Sequence, residues 1–338
     1  MIKFAAIGLT HSHIYGQTEC MLRAGAEIVA FHEPLDELAV PFGEKYPQAK
    51  RVTDRDAILE DKTIQLILTS AIPAERAEIA IAAMQHGKDV MSDKPGMITF
   101  EQLADIKRVR AETGRIFSVC YSEHFETRST VKAGELVAAG AIGEVLHTVG
   151  LGPHSLTNGK RAPYFFQRDQ YGGILCDIGS HQVEQFLFFS GVMEGDVISA
   201  TVANRAHPET PGLQDVGDMH LKTPRTTGFV RLDWFTPAGL GTWGDGRLTI
   251  LGTEGYIELR KYIDIDGAPG KDHLFLVDAK GTHRIDCSNV ELPYGRQLVD
   301  DILNRTETAM PQERCFNAME LALKAQQLAE RGTVWEQK

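Results

Sequence analysis

No CxxC pair, no long apolar run and no cluster of basic residues occurs in this 338-residue chain, and each absence removes a class of function. The five cysteines (Cys20, Cys120, Cys176, Cys287, Cys315) are scattered and odd in number. A disulfide scaffold is therefore not expected, and a reduced cytoplasmic chain is the plain reading. No apolar stretch approaches the ~20 residues that span a bilayer, so no membrane partner is expected. The N-terminus runs straight into a strand pattern, without the basic and apolar segments of a secretion signal. The formal net charge of −11 argues against nucleic acid, because polyanion binding needs clustered cations to replace counterions. What remains is a small-molecule ligand.

What is present is an ordinary globular composition, 43% hydrophobic and 24% charged, at a length that favours two domains. Residues 1–121 alternate between strand and helix. The strands are expected at Ile2–Ile7, Glu27–His32, Ile64–Ser70, Lys88–Ser92 and Arg115–Tyr121. The helices are expected at Ile14–Ala24, Leu35–Tyr46, Ala74–His86 and Phe100–Thr113. The run Ile64-Gln65-Leu66-Ile67-Leu68 suits a strand covered on both faces, and the alternation implies a doubly wound parallel sheet. Residues 122–338 read differently. Helices are expected at Thr130–Ala139, Asp177–Ser190 and Phe316–Arg331. Strands arrive in succession at Val145–Leu151, Val197–Asn204, Gly228–Phe235, Arg247–Leu251, Tyr256–Arg260, His273–Val277 and His283–Cys287. This is an α+β domain with a largely antiparallel open sheet. No internal repeat is found.

The first strand ends at Gly8 and leads through Leu9-Thr10-His11-Ser12-His13 toward a helix. A dinucleotide fingerprint would place further glycines where Thr10 and His13 stand. Gly8 supplies the tight turn, Thr10 offers a hydroxyl, and Ser12 is a candidate helix N-cap. Glu33, at the end of the second strand, either accepts the ribose hydroxyls of NAD or is a solvent-facing loop residue. No Arg or Lys directly follows it to receive a 2′-phosphate. His11 and His13 would form a metal site only if they converged on a third ligand. None is identifiable from the sequence, so no metal is expected.

Two later stretches carry a resemblance: "AIAAMQHGKDVMSDKPGMITFEQ" (80–102) and "YGGILCDIGSHQVEQFLFFSG" (171–191). Together they resemble the glucose–fructose oxidoreductase / inositol dehydrogenase / MocA (GFO/IDH/MocA) family, with its Glu-Lys-Pro motif and its Gly-rich turn before an Asp-x-x-x-His helix. "LVAAGAIGEV" (136–145) and "LGTEGYIEL" (251–259) are weaker matches in the same order. Asp93 departs from the family's Glu, Tyr171 from a glycine, and Ala71-Ile72-Pro73 stands where Thr-Pro is common. The resemblance implies a Rossmann-like NAD-binding domain at 1–121 and a substrate-binding and oligomerisation domain at 122–338. A homodimer or homotetramer through the C-terminal sheet is implied as well.

Oxidation of a secondary alcohol by a nicotinamide needs a base for the hydroxyl proton, and imidazole suits it near neutrality. Asp177 and His181 are four residues apart and share a helix face. By resemblance His181 is the acid/base and Asp177 orients it or holds a hydroxyl. Lys94 bridges the nicotinamide ribose and the reacting oxygen. The cofactor set implied is Gly8, Thr10, His11, Ser12, His13, Glu33, Ser70, Ile72, Pro73 and Lys94. On the substrate side stand Tyr121, His124, His154, Arg161 and Tyr164, within or near "PHSLTNGKRAPYFFQRDQYGG", while Phe165-Phe166 reads as packing. The expected activity is NAD-dependent hydride transfer to or from a sugar, cyclitol or related polyol or keto-sugar. An NAD-dependent glycosidase or lyase using transient sugar oxidation, and a non-catalytic ligand-binding relative, are the alternatives.

Overall fold

The computed structural model describes residues 1–156 and 161–331. Two compact units emerge: Met1–Cys120 with Gln170–Gly172 and Pro293–Phe316, and Tyr121–Asp169 with Gly173–Leu292 and Asn317–Lys338.

In the first unit the elements run β1 Lys3–Ile7, α1 His13–Arg23, β2 Glu27–His32, α2 Asp36–Lys45, β3 Lys50–Arg51, α3 Arg55–Glu60, β4 Leu66–Thr69, α4 Pro73–Gln85, β5 Asp89–Asp93, α5 Phe100–Thr113 and β6 Phe117–Cys120. The six strands form one parallel sheet in the order β3-β2-β1-β4-β5-β6. Every residue of β4, β5 and β6 is buried, as in a sheet covered on both faces, and the apolar run of β4 reflects this. The helix ends follow local rules. Thr99 caps α5 by accepting the Gln102 N–H at 3.1 Å, and Gly114 closes it in the left-handed conformation. The short β3 and α3 carry too little periodicity to be seen in the sequence. Pro293–Phe316 belongs to this unit because Gln312 pairs with the β6 backbone. It accepts from Phe117 N at 3.0 Å and donates to Phe117 O at 2.9 Å, covering the sheet edge.

In the second unit come α6 Ser122–Phe125, α7 Arg128–Ala138, β7 Val145–Pro153, α8 Arg168–Tyr171 (whose end counts with the first unit), α9 Ile174–Asp177 and α10 Gly179–Ser190. Then follow β8 Asp196–Ala203, β9 Val216–Lys222, β10 Thr227–Asp233, β11 Arg247–Gly252, β12 Gly255–Arg260, β13 His273–Asp278 and β14 Gly281–Ile285. α11 Tyr294–Asn304 lies in the returning segment, and α12 Gln312–Arg331 is divided between the units. The eight-stranded sheet runs β14-β13-β12-β11-β7-β10-β9-β8, antiparallel except for the β7–β10 pair. Leu248, Ile250, Ile257, Leu259 and Leu274 form its core with Ala133 of α7 and Phe189 of α10.

α10 lies close on this sheet because glycines face it. A Cβ at Gly150 would come within 2.5 Å of Gln182 Oε1, and one at Gly228 within 2.7 Å of Phe186. The five cysteines are buried and form no disulfide with a described residue. Among the described residues no helix is long and apolar enough to cross a membrane.

Candidate functional site

The sheet order places a topological switch between β1 and β4, where open α/β sheets bind ligands at the carboxyl ends of their strands. Gly8 sits there with φ +77, and a Cβ on it would meet Ala71 Cβ at 2.6 Å. No other residue fits this turn. The loop is stitched to both neighbouring strands: Gly8 N donates to His32 O, His11 N to Ser70 O and Ser70 N to Gly8 O. Leu9 N donates to Glu33 Oε2 at 2.9 Å and His13 N to His11 Nδ1 at 3.2 Å. The Thr10 and Ser12 N–H groups bond no described residue, and they lie where α1 presents its positive end. That donor set fits the pyrophosphate of a dinucleotide.

The helix is not capped as expected. Ser12 occupies the cap position in a helical conformation and makes no side-chain cap bond. The imidazole of His11 takes that role instead, its Nδ1 accepting the His13 N–H. Burial, then the neighbouring His13, lowers the His11 pKa well below its ordinary value and keeps the lone pair available.

His13 and His11 do converge, on Asp93 at the end of β5. His13 Nδ1 lies 2.9 Å from Oδ1 and His11 Nδ1 3.3 Å from Oδ2. The ligating atoms of the three side chains lie within 4.8 Å of one another. The carboxylate also accepts from Arg76 Nη2 at 3.0 Å and from the Lys94 N–H at 2.8 Å. Burial alone would raise the Asp93 carboxyl, but His13, then Arg76, hold it well below the usual carboxylate range. Arg76, from α4, is fully buried and clamps the motif by donating to Ala71 O, Lys94 O and Pro95 O. Lys94 is thereby held at the strand end. Asp93 and Arg76 were not in the sequence-derived site. A carboxylate beside Lys94 was visible, but its partners arrive from three other elements.

At the end of β2, Glu33 is buried rather than solvent-facing, and it braces two turns: Oε2 takes Leu9 N and Oε1 takes Leu35 N at 3.0 Å. A cation does stand here, although none follows in sequence. Arg51 of β3 donates to Glu33 O at 3.0 Å and pairs with Asp36 at 2.6 Å. Ser70 Oγ donates to Gln17 at 3.1 Å, Ile72 precedes α4, and Pro73 opens it.

The second unit builds a separate cluster. Gly173 (φ +88) allows the Gln326 side chain to approach and cap α9, where Leu175 N donates to Gln326 Oε1 at 3.0 Å. Asp177 ends α9 and His181 lies in α10, so the single helix expected from Asp177 is broken at Ile178. Ile178 keeps helical angles and His181 N donates to its carbonyl, so the two side chains stay one turn apart. Both are buried, and Tyr121 meets the His181 ring edge-on at 6.1 Å.

His124 points its Nδ1 at both oxygens of Glu184, at 2.9 and 3.1 Å. His154 rests on Trp243 at 4.6 Å and Trp234 at 5.5 Å. Arg161 stacks on Trp234 at 4.7 Å and Phe165 at 5.1 Å, while donating to Ser155 O at 2.9 Å. Tyr164 is buried against Phe165 at 4.3 Å, which makes Phe165 a packing residue. Residues 157–160 of this segment lie outside the described residues. The tryptophans were missed, because Trp234 and Trp243 reach His154 only through the sheet.

Residues 2–121 match the model of an oxidoreductase family with an NAD-binding Rossmann fold, and residues 130–258 match the GFO/IDH/MocA C-terminal domain. The chain belongs to the GFO/IDH/MocA oxidoreductase family. A solved structure from Erwinia carotovora atroseptica SCRI1043, designated an oxidoreductase, is 44% identical with a TM-score of 0.95, covering 97% of this chain and 99% of that one. The NAD(+)-dependent scyllo-inositol 2-dehydrogenase of Bacillus subtilis (strain 168) is 23% identical over 83% of this chain and 78% of its own length. The NADP(+)-dependent scyllo-inositol 2-dehydrogenase IolW of the same organism is 26% identical over 49% of this chain. The chain spans less than half the length of the first curated relatives it matches, 45% and 37%. In this GFO/IDH/MocA chain the six-stranded parallel sheet of the first unit falls within the residues that match the family's NAD-binding Rossmann fold.

Proposed function

We propose that the chain is an NAD-dependent oxidoreductase acting on a sugar, cyclitol or related polyol or keto-sugar, with His181 as acid/base. The observation that carries this reading is the buried pair Asp177 and His181, at the end of α9 and the first turn of α10, held one turn apart through Ile178. The fold is that of an NAD-binding family, and its relatives include enzymes named for a cyclitol. A bound nicotinamide supplies the hydride acceptor in oxidation and donor in reduction. The His181 imidazole takes the substrate hydroxyl proton in oxidation and returns it in reduction. Asp177 orients the ring or holds a neighbouring hydroxyl, and Lys94, fixed by Arg76, is assigned to the nicotinamide ribose and the reacting oxygen. Tyr121, His154, Arg161 and Tyr164 are assigned to the substrate side, whereas His124 is committed to Glu184.

The reading is metal-independent. Asp93 already accepts from Arg76 and Lys94 with His13 against it, and His11 lends its Nδ1 to the helix. Prolonged chelation is therefore expected to leave turnover intact. Assembly through the C-terminal sheet is part of the proposal, supported by half-buried or exposed apolar residues on its outer face: Val149, Leu151, Phe229, Leu251 and Tyr256.

The test is a screen of polyols and keto-sugars with NAD(H), read at the NADH absorbance, followed by His181→Ala on the substrate found. Turnover is expected to fall on the order of a hundredfold. A variant with near-normal turnover would remove His181 from its role.

A further inference from the structure

The roles just assigned leave unused an ion pair buried in the second unit. Glu123 of α6 and Lys261, which follows β12, are 1% and 0% exposed, and Lys261 Nζ donates to Glu123 Oε2 at 2.7 Å. The pair is tied to α10 at two points: Gln182 Nε2 donates to the same Oε2 at 2.8 Å, and Lys261 donates to Gln185 Oε1 at 2.7 Å. Within α10, Gln185 Nε2 donates to the His181 carbonyl at 2.9 Å. Oε2 is thus spent twice. Oε1 is equally buried and takes no hydrogen bond from a described residue.

A buried ion pair is seldom retained for stability, since well-packed apolar residues of similar volume often do as well or better. Its surroundings suggest a different use. The titratable groups whose charges act on Glu123 are the Lys261 ammonium, which touches it, the imidazoles of His181 and His154, and the Tyr262 phenol. His181 directly precedes the contacting Gln182 on α10. Burial alone would raise the Glu123 carboxyl. Lys261 first, then His181, overcome that and hold it well below the usual carboxylate range. In the neighbouring pair, on α6 and α10, His124 Nδ1 lies against both Glu184 oxygens.

We propose that Glu123 is a positioning residue for His181: a carboxylate fixed on one oxygen by Lys261 and Gln182 that stabilises the positively charged imidazole. This rests on the reading of His181 as acid/base. In oxidation the ring gains the hydroxyl proton, and a fixed negative charge lowers the cost of the resulting cation where both side chains are buried. Lys261 keeps the carboxylate ionised and immobile, and Gln185 passes its position to the His181 backbone.

The experiment is a pH titration of ring-labelled histidine by NMR on the full-length protein, with the His181 signal assigned from its loss in His181→Gln. In Glu123→Gln the His181 midpoint is expected to fall by about 1 pH unit, the low end for loss of a nearby opposite charge. The limb of the pH–kcat/KM profile that depends on His181 should move with it. An unmoved midpoint overturns the proposal. Because Glu123→Gln strands a buried ammonium, Glu123→Gln/Lys261→Met provides a neutral second variant. A midpoint below wild type supports the proposal, and one at or above wild type overturns it. The two readings fail separately: His181→Ala with normal turnover would remove the acid/base assignment, while the NMR titration still decides whether Glu123 stabilises the imidazolium.

Discussion

The Nδ1 of His11 accepts the backbone N–H of His13 at 3.2 Å, so an imidazole caps the first turn of α1. Only the unprotonated nitrogen can do this, and burial keeps it so. The unfolded chain takes up this proton near the ordinary histidine value of 6.5, whereas the folded chain does not. Stability from this group is therefore complete above that value and is lost as pH falls below it. Urea melts of the wild type between about pH 7 and 5 should show this decline, and His11→Gln should flatten it. The variant should also lose about 1 kcal/mol at neutral pH, the usual worth of a cap. An unchanged slope in His11→Gln would assign the decline to another group.

Asp93 balances Arg76 in the interior of the first unit, at 3.0 Å with both side chains buried. Asp93→Ala should cost about 3–5 kcal/mol in chemical denaturation, the range for leaving a buried charge unpaired. Asp93→Asn should cost less, since it keeps an acceptor. If Asp93→Ala melts with the wild type, the carboxylate is not what secures the Lys94-Pro95 segment.

Glu33 and Arg51 are expected to oppose each other in cofactor choice: a carboxylate at this strand end would repel a 2′-phosphate, whereas Arg51, paired with Asp36 at 2.6 Å, stands beside it. Tighter binding of NAD(H) than of NADP(H) is expected in the wild type. Asp36→Asn frees the guanidinium and should narrow the gap, and Glu33→Ala should narrow it further. Glu33→Ala should also lower the melting temperature, because Leu9 N and Leu35 N lose their acceptor. Fluorescence titration with both cofactors measures the preference. Tighter NADP(H) binding by the wild type would reverse the assignment.

Lys94, Asp177 and His181 should separate by readout. His181→Ala should lower turnover with NAD affinity little changed, while Lys94→Ala should lower both. Asp177→Asn should be intermediate, since an amide still bonds but cannot support an imidazolium. Melting temperature and turnover are measured together for each variant. Parallel losses of both quantities in all three would mean that these residues only pack their units.

Much of this was legible locally. The largely apolar run at 64–68, the strand–helix alternation of residues 1–121, Gly8 at the end of the first strand, and the one-turn spacing of Asp177 and His181 are each written within a few residues. Helix and strand periods, with their caps, act at that range. β9 was not legible, because Val-Gly-Asp-Met-His-Leu-Lys alternates only weakly and owes its place to pairing with β8 and β10. The charged partnerships were not legible either. Asp93 meets His13 across 80 residues, and Glu123 meets Lys261 across 138. The sequence by itself determined the alternating first half, the strand-rich second half and the motif residues at their ends. The tertiary structure alone decided which carboxylate faces which cation, because strand order and helix docking set those distances and no local spacing encodes them.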